Sequence, residues 1–180
     1  AEQLAEMRAV VHGLSTAPEI GDLAADAEAD TDGLDDWQRA NLGEIKHQWT
    51  KATALPEDLV VAHSRACSAC ETVWRTARPE GDFGAVQGLL QTVLDLTREI
   101  GQAKAKTLGL SLYDALLDDY EPGGRTVEID RVFGELEAFL PEFLGEALDI
   151  QASKPAPVTP EGPFPIATQK ALGEKFMAAL

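Results

Sequence analysis

Along almost the whole chain the apolar residues return at every third and fourth position, and no stretch shows the clean alternation, rich in Val, Ile and aromatic residues, that a strand requires. A chain patterned this way can bury apolar surface only by packing helix on helix, so the expected fold class is all-α, with about seven to eight helices. Local signals divide the pattern. A first helix is expected from about Glu2 to Leu14, with Leu4, Met7, Val10, Val11 and Leu14 on one stripe. Thr16 to Glu19 has the capping-box form T-x-x-E with Pro18 in the opening turn, which places a second helix up to about Ala29. The acidic turn ADTDG precedes a third helix carrying Leu34, Trp37, Asn41, Ile45 and Trp49 on one face. Pro56 suits the first turn of a fourth, where Glu57 and Asp58 meet the positive end of the helix dipole and Leu59, Ala66, Cys70, Val73 and Trp74 continue the stripe.

The run Arg78 to Gly81 ends that helix. A fifth is expected from Asp82 to about Leu108, before Gly109, burying Phe83, Val86, Leu90, Val93, Leu94 and Ile100. A short helix in SLYDALLDDY leads through the turn Glu121 to Gly124 to Thr126, a good N-cap for the longest pattern, which runs from Ile129 to Leu148 with a kink expected at Pro141. Five of the ten prolines fall in the segment 154–165, KPAPVTPEGPFP, which reads as an extended loop before a final helix through Leu172, Phe176 and Leu180.

With 180 residues and 44% hydrophobic residues, the chain can bury one sizeable core. The net charge of -16 repels phosphate backbones and anionic lipid heads, so neither nucleic acid nor membrane is an expected partner. No apolar run approaches the roughly 18 residues of a membrane span, and the opening AEQLAEMRAV is amphipathic, unlike a signal sequence. A cytoplasmic location is the expectation. Cys67 and Cys70 stand too close in sequence to staple a fold. The chain begins inside a running stripe and stops at Leu180 with the stripe still in progress, as expected of a piece of a longer polypeptide.

Three segments, LGEIKHQWTKATALPEDLV, LYDALLDDYEPG and FPIATQKAL, occur in the order of similar segments in the carboxypeptidase Taq family of zinc metallocarboxypeptidases. Within the middle one, Tyr113, Asp114, Leu116, Leu117, Asp118, Tyr120, Glu121, Pro122 and Gly123 match that family's pattern, and AEQLAEMRAVVH and TAPEIGDL resemble its early helices. The resemblance covers nearly the whole chain. It implies a mostly helical enzyme with a long cleft, in which zinc or another divalent metal bound by an HExxH helix removes C-terminal residues from peptides. It also implies that residues 1–180 are the N-terminal part, forming a cleft wall and lid. The zinc helix, a later metal-binding glutamate and substrate-binding arginines would then lie beyond Leu180. The partners implied are the C-terminal catalytic region, peptide substrates and, as a candidate, a second copy in a homodimer.

The residues agree with that placement. An HExxH site needs two histidines one turn apart with a glutamate beside them, whereas His12, His47 and His63 each lack a second histidine four residues on. His12 is expected at a helix interface, and His47 and His63 on polar faces. The lone CxxC of Cys67 and Cys70 has no second pair to complete a zinc site and lies within a helix, so packing beside Val73 and Trp74 is expected, not redox chemistry. Asp114 and Asp118, one turn apart, are expected to hydrogen-bond neighbouring helix termini, with Asp119 and Glu121 beside them. Trp37, Trp49 and Trp74 are expected as core anchors. No catalytic, cofactor-binding or metal-binding residue is assigned in this chain, which is expected to be inactive alone; the alternative is a free-standing helical binding or regulatory module derived from the same family.

Overall fold

A computed structural model describes residues 2–180. Among them are eight helices and no strand: α1 (Glu2–Ser15), α2 (Pro18–Ala29), α3 (Asp36–Thr53), α4 (Glu57–Glu80), α5 (Phe83–Leu108), α6 (Leu112–Leu117), α7 (Thr126–Ala152) and α8 (Ile166–Ala179). No described helix is long and apolar enough to cross a membrane.

The boundaries follow from local chemistry. Asp35 caps α3, accepting from the Gln38 N–H at 2.8 Å while the Gln38 side chain accepts from the Asp35 N–H at 2.9 Å, a complete capping box. Pro56 stands immediately before α4, as its fixed φ and missing N–H favour, and Gly81 and Gly109 stop α4 and α5 where the sequence places them. The capping box expected at Thr16 does not form. Ala17 is the N-cap of α2 without a side-chain bond, and the Thr16 hydroxyl donates instead to the His12 carbonyl at 2.8 Å, finishing α1 rather than starting α2.

The chain divides into two compact units, Ala1–Arg131 and Val132–Leu180. In the first, α4 packs on α1 and α5, α5 carries α6, and α2 lies against α3. The α2–α3 contact depends on a missing side chain: a Cβ at Gly21 would stand 2.6 Å from the Trp49 ring. Trp49 in turn donates from its indole to the Ala17 carbonyl at 3.2 Å, so it anchors the helix pair as expected. Trp37 does not, being 80% exposed, and Trp74 is exposed with Arg78 stacked over its ring at 5.1 Å. The core itself is narrow, built on Ala5, Ala24, Ala77, Val86 and Ala115, while the expected α1 stripe from Leu4 to Leu14 and Phe83 and Leu94 on α5 stay exposed. The stripes are present at helical spacing, but little covers them.

The second unit holds most of α7, the loop 153–165 and α8, and none of its described residues is buried. The helix continues through Pro141, with Phe139 and Phe143 stacked 5.1 Å apart on its surface. The proline-rich segment is irregular, as expected, and α8 resumes directly after Pro165.

Candidate functional site

The densest chemistry lies where the turn after α6 meets α3 and α5. Asp118 is fully buried, and its carboxylate accepts from the Gly123 N–H at 3.2 Å, from His47 Nε2 at 2.5 Å, from Lys51 Nζ at 3.2 Å and from Arg125 at 3.4 Å. Gly123 has a φ of +82°, a conformation that a side chain would strain, and this turns its N–H toward the carboxylate. Lys51, itself buried, also donates to the Asp118 carbonyl at 3.1 Å and pairs with Asp119 at 2.8 Å, and the buried Lys104 pairs with the second oxygen of Asp119. Every buried side-chain nitrogen and oxygen among the described residues has a partner.

Burial alone would push the Asp118 carboxyl up, but the bonds from Gly123, His47 and Lys51 outweigh it and hold the group far below the usual carboxylate range. Asp119 is lowered in the same way, burial opposing it and Lys104 and Lys51 prevailing. Lys51 is raised above an ordinary lysine: burial works against its charge, and Asp119 and then Asp118 overcome that penalty. The three groups are therefore locked in their charged forms. Such an arrangement fixes geometry. Asp118, Asp119 and Lys51 are thereby held away from the neutral range in which a general acid or base works.

Asp114 behaves as its spacing predicts, accepting from the Thr126 N–H at 2.8 Å and so capping α7 from another element; that backbone bond comes first among the causes that lower its carboxyl. Thr126, expected as the cap, is instead the first helical residue. Asp118 acts on the backbone of its own turn at Gly123 and on side chains from α3. His47 is thus no plain polar-face residue, because the buried carboxylate fixes its ring.

Beside this network lies a cavity of about 730 Å³ between α1, α4, α5 and the α6 turn, lined among others by Arg8, His63, Cys67, Thr97, Lys104 and Asp119. Cys67 Sγ is 3.6 Å from His63 Nε2, which is also 3.2 Å from the Thr97 hydroxyl. His63 is pushed down by burial, then by the nearby charges of Arg8 and Lys104; burial, then Cys70, pushes the Cys67 thiol up. Both are therefore neutral near pH 7. Both cysteines are free thiols, half-buried as packing residues should be. His12, partly buried on α1, contributes only its carbonyl, to Thr16.

Lys51, Lys104 and Arg125 escape a reading by motif, since none belongs to a recognisable spacing. The four-residue interval between His47 and Lys51 puts those two on one face of α3, but it points to neither Asp118 nor Lys104 nor Arg125. These residues do not suit a metal ion. The Asp118 oxygens are already spent on four donors, an incoming cation at Asp119 would meet the ammonium groups of Lys51 and Lys104, and among the described residues no three His, Cys, Asp or Glu side chains converge.

The fold is that of helical metallocarboxypeptidases. The solved metallocarboxypeptidase 1 of Trypanosoma cruzi superposes with a TM-score of 0.79 at 36% identity, covering 97% of this chain and 35% of that one. A crystal structure of BsuCP shares the fold with a TM-score of 0.74 at 24% identity. Residues 1–180 match the Carboxypeptidase Taq (M32) metallopeptidase family throughout, and the chain belongs to that family. Thermostable carboxypeptidase 1 of Thermus thermophilus is 31% identical over 193 residues, spanning 99% of this chain, and carboxypeptidase 1 of Bacillus subtilis is 24% identical over 185 residues. The chain spans only 37% and 35% of the length of these two relatives.

Proposed function

We propose that residues 1–180 are the N-terminal helical region of a zinc metallocarboxypeptidase that removes C-terminal residues from peptides in the cytoplasm, and that they form one wall and the lid of its cleft. The observation that carries this reading is the family match along the entire chain, set against relatives nearly three times as long. On it, the metal and the groups that attack the peptide belong to the C-terminal catalytic region, and the charge-locked turn at Asp118 serves to hold the wall rigid. The apolar residues left exposed on α7 and α8, such as Phe133, Phe143 and Phe176, are the surface this reading assigns to packing against that region.

The test is a carboxypeptidase assay with metal analysis on the 180-residue chain, alone and mixed with a Thermus relative from which the matching front third has been removed. The chain alone is expected to bind no stoichiometric zinc and to release no amino acid, and the mixture to recover activity. Turnover by the chain alone would overturn the assignment. The same exposed surface favours a second reading, a free-standing module that pairs with another copy or another protein. A dimer by light scattering, together with failure to complement the truncated relative, would support it.

A further inference from the structure

The cavity between α1, α4 and α5, about 730 Å³ in volume, falls within the roughly 300–1,000 Å³ typical of small-molecule sites. Its lining is of two kinds. Leu4, Val60, Val93 and Ile100 supply apolar surface, whereas Arg8 and Lys104 bring positive charge close enough to His63 for both to oppose its protonation. The carboxylates of Glu71 and Asp119 also line the cavity, so its formal charges balance, in a chain whose net charge is -16. Lys104 is spoken for by Asp119, but Arg8 is exposed and has no carboxylate partner among the described residues.

We infer that this cavity is a binding site for a small monocarboxylate with an apolar body, its chain against Leu4, Val93 and Ile100 and its carboxylate at the Arg8 guanidinium. A guanidinium fork matches a carboxylate with two parallel N–H bonds, which an ammonium cannot do. The two acidic side chains on the lining, Glu71 and Asp119, disfavour a dianion such as phosphate. The neutral His63 and the Thr97 hydroxyl leave the interior polar enough to orient a ligand without adding a charge. The test of this site does not depend on peptide hydrolysis.

The test is titration calorimetry of the 180-residue chain with octanoate, octan-1-ol, acetate and inorganic phosphate, repeated on Arg8→Gln. Arg8 is exposed on α1 and outside the core, so the variant should fold, and circular dichroism checks this. Octanoate is expected to bind about tenfold or more tightly than octan-1-ol or acetate, phosphate not at all, and Arg8→Gln to weaken octanoate by about tenfold while leaving octan-1-ol unchanged. No binding of octanoate, equal affinity for octanoate and octan-1-ol, or an unchanged octanoate affinity in Arg8→Gln would each overturn the inference.

Discussion

Replacing Asp118 by Asn keeps the shape of a fully buried side chain and removes its charge. The amide retains one acceptor oxygen for four donors, and its NH2 group faces at least one of His47, Lys51 and Arg125 donor to donor. Removing one partner from a buried charge pair costs about 3–5 kcal/mol. The lower end applies here, because Lys51 keeps Asp119 at 2.8 Å and the carbonyl of residue 118 at 3.1 Å, so its ammonium is not orphaned. The expected loss is about 3 kcal/mol, which for a chain of this size lowers Tm by about 6–12 °C. Urea unfolding followed by tryptophan fluorescence and by far-ultraviolet circular dichroism measures it. The pH dependence is a second readout. A carboxyl held low in the folded state contributes stability that is complete above its unfolded pKa of about 3.9 and is lost as pH falls toward the native value. The gap between wild type and Asp118→Asn should therefore be constant near neutrality and narrow below about pH 4. A loss under about 1 kcal/mol, or a gap that widens in acid, would refute the claim that this carboxylate clamps the turn.

Gly21→Ala should destabilise the α2–α3 pair by about 1–2 kcal/mol, since displacing the Trp49 ring outweighs the roughly 1 kcal/mol that alanine gains in helix propensity; denaturation together with a changed Trp49 emission would report it. Asp114→Ala removes the acceptor for the Thr126 N–H, so hydrogen exchange in the first turn of α7 should accelerate while the α4 and α5 amides keep their protection. Alkylation of Cys67 at pH 7 should be slow and rise with pH beyond the ordinary thiol range, which mass spectrometry of iodoacetamide-treated protein would show; fast reaction at pH 7 would contradict a thiol raised by burial.

The helices were legible because their signals are local. The Asp35 and Gln38 box, Pro56, Gly81 and Gly109 each act within one turn of the residues they punctuate, so a linear reading finds them. Burial was less legible. Spacing tells which face of a helix is apolar, as for Leu4, Val10 and Val11 or for Trp37, but not whether another element arrives to cover it. The charge network was least legible, for a related reason. His47 and Lys51 reach Asp118 across 71 and 67 residues, and Lys104 joins from a third helix, so no spacing in the sequence records the encounter. Asp114 was the exception: it stands on α6 one helical turn before Asp118, and its role as an acceptor for a neighbouring helix terminus was expected from that spacing.

The turn from Asp118 to Arg125 holds side chains of α3 and α5 through the carboxylates of Asp118 and Asp119, the first of which accepts from the turn's own Gly123 N–H. Its length is therefore a structural constant. Adding or deleting one residue there would withdraw the Gly123 N–H and the Arg125 guanidinium from Asp118 together, whereas the loop 153–165 supports nothing buried and can grow or shrink freely. Among related chains, length variation should collect in the proline-rich loop and be absent between α6 and α7, whatever happens to residue identity at either place.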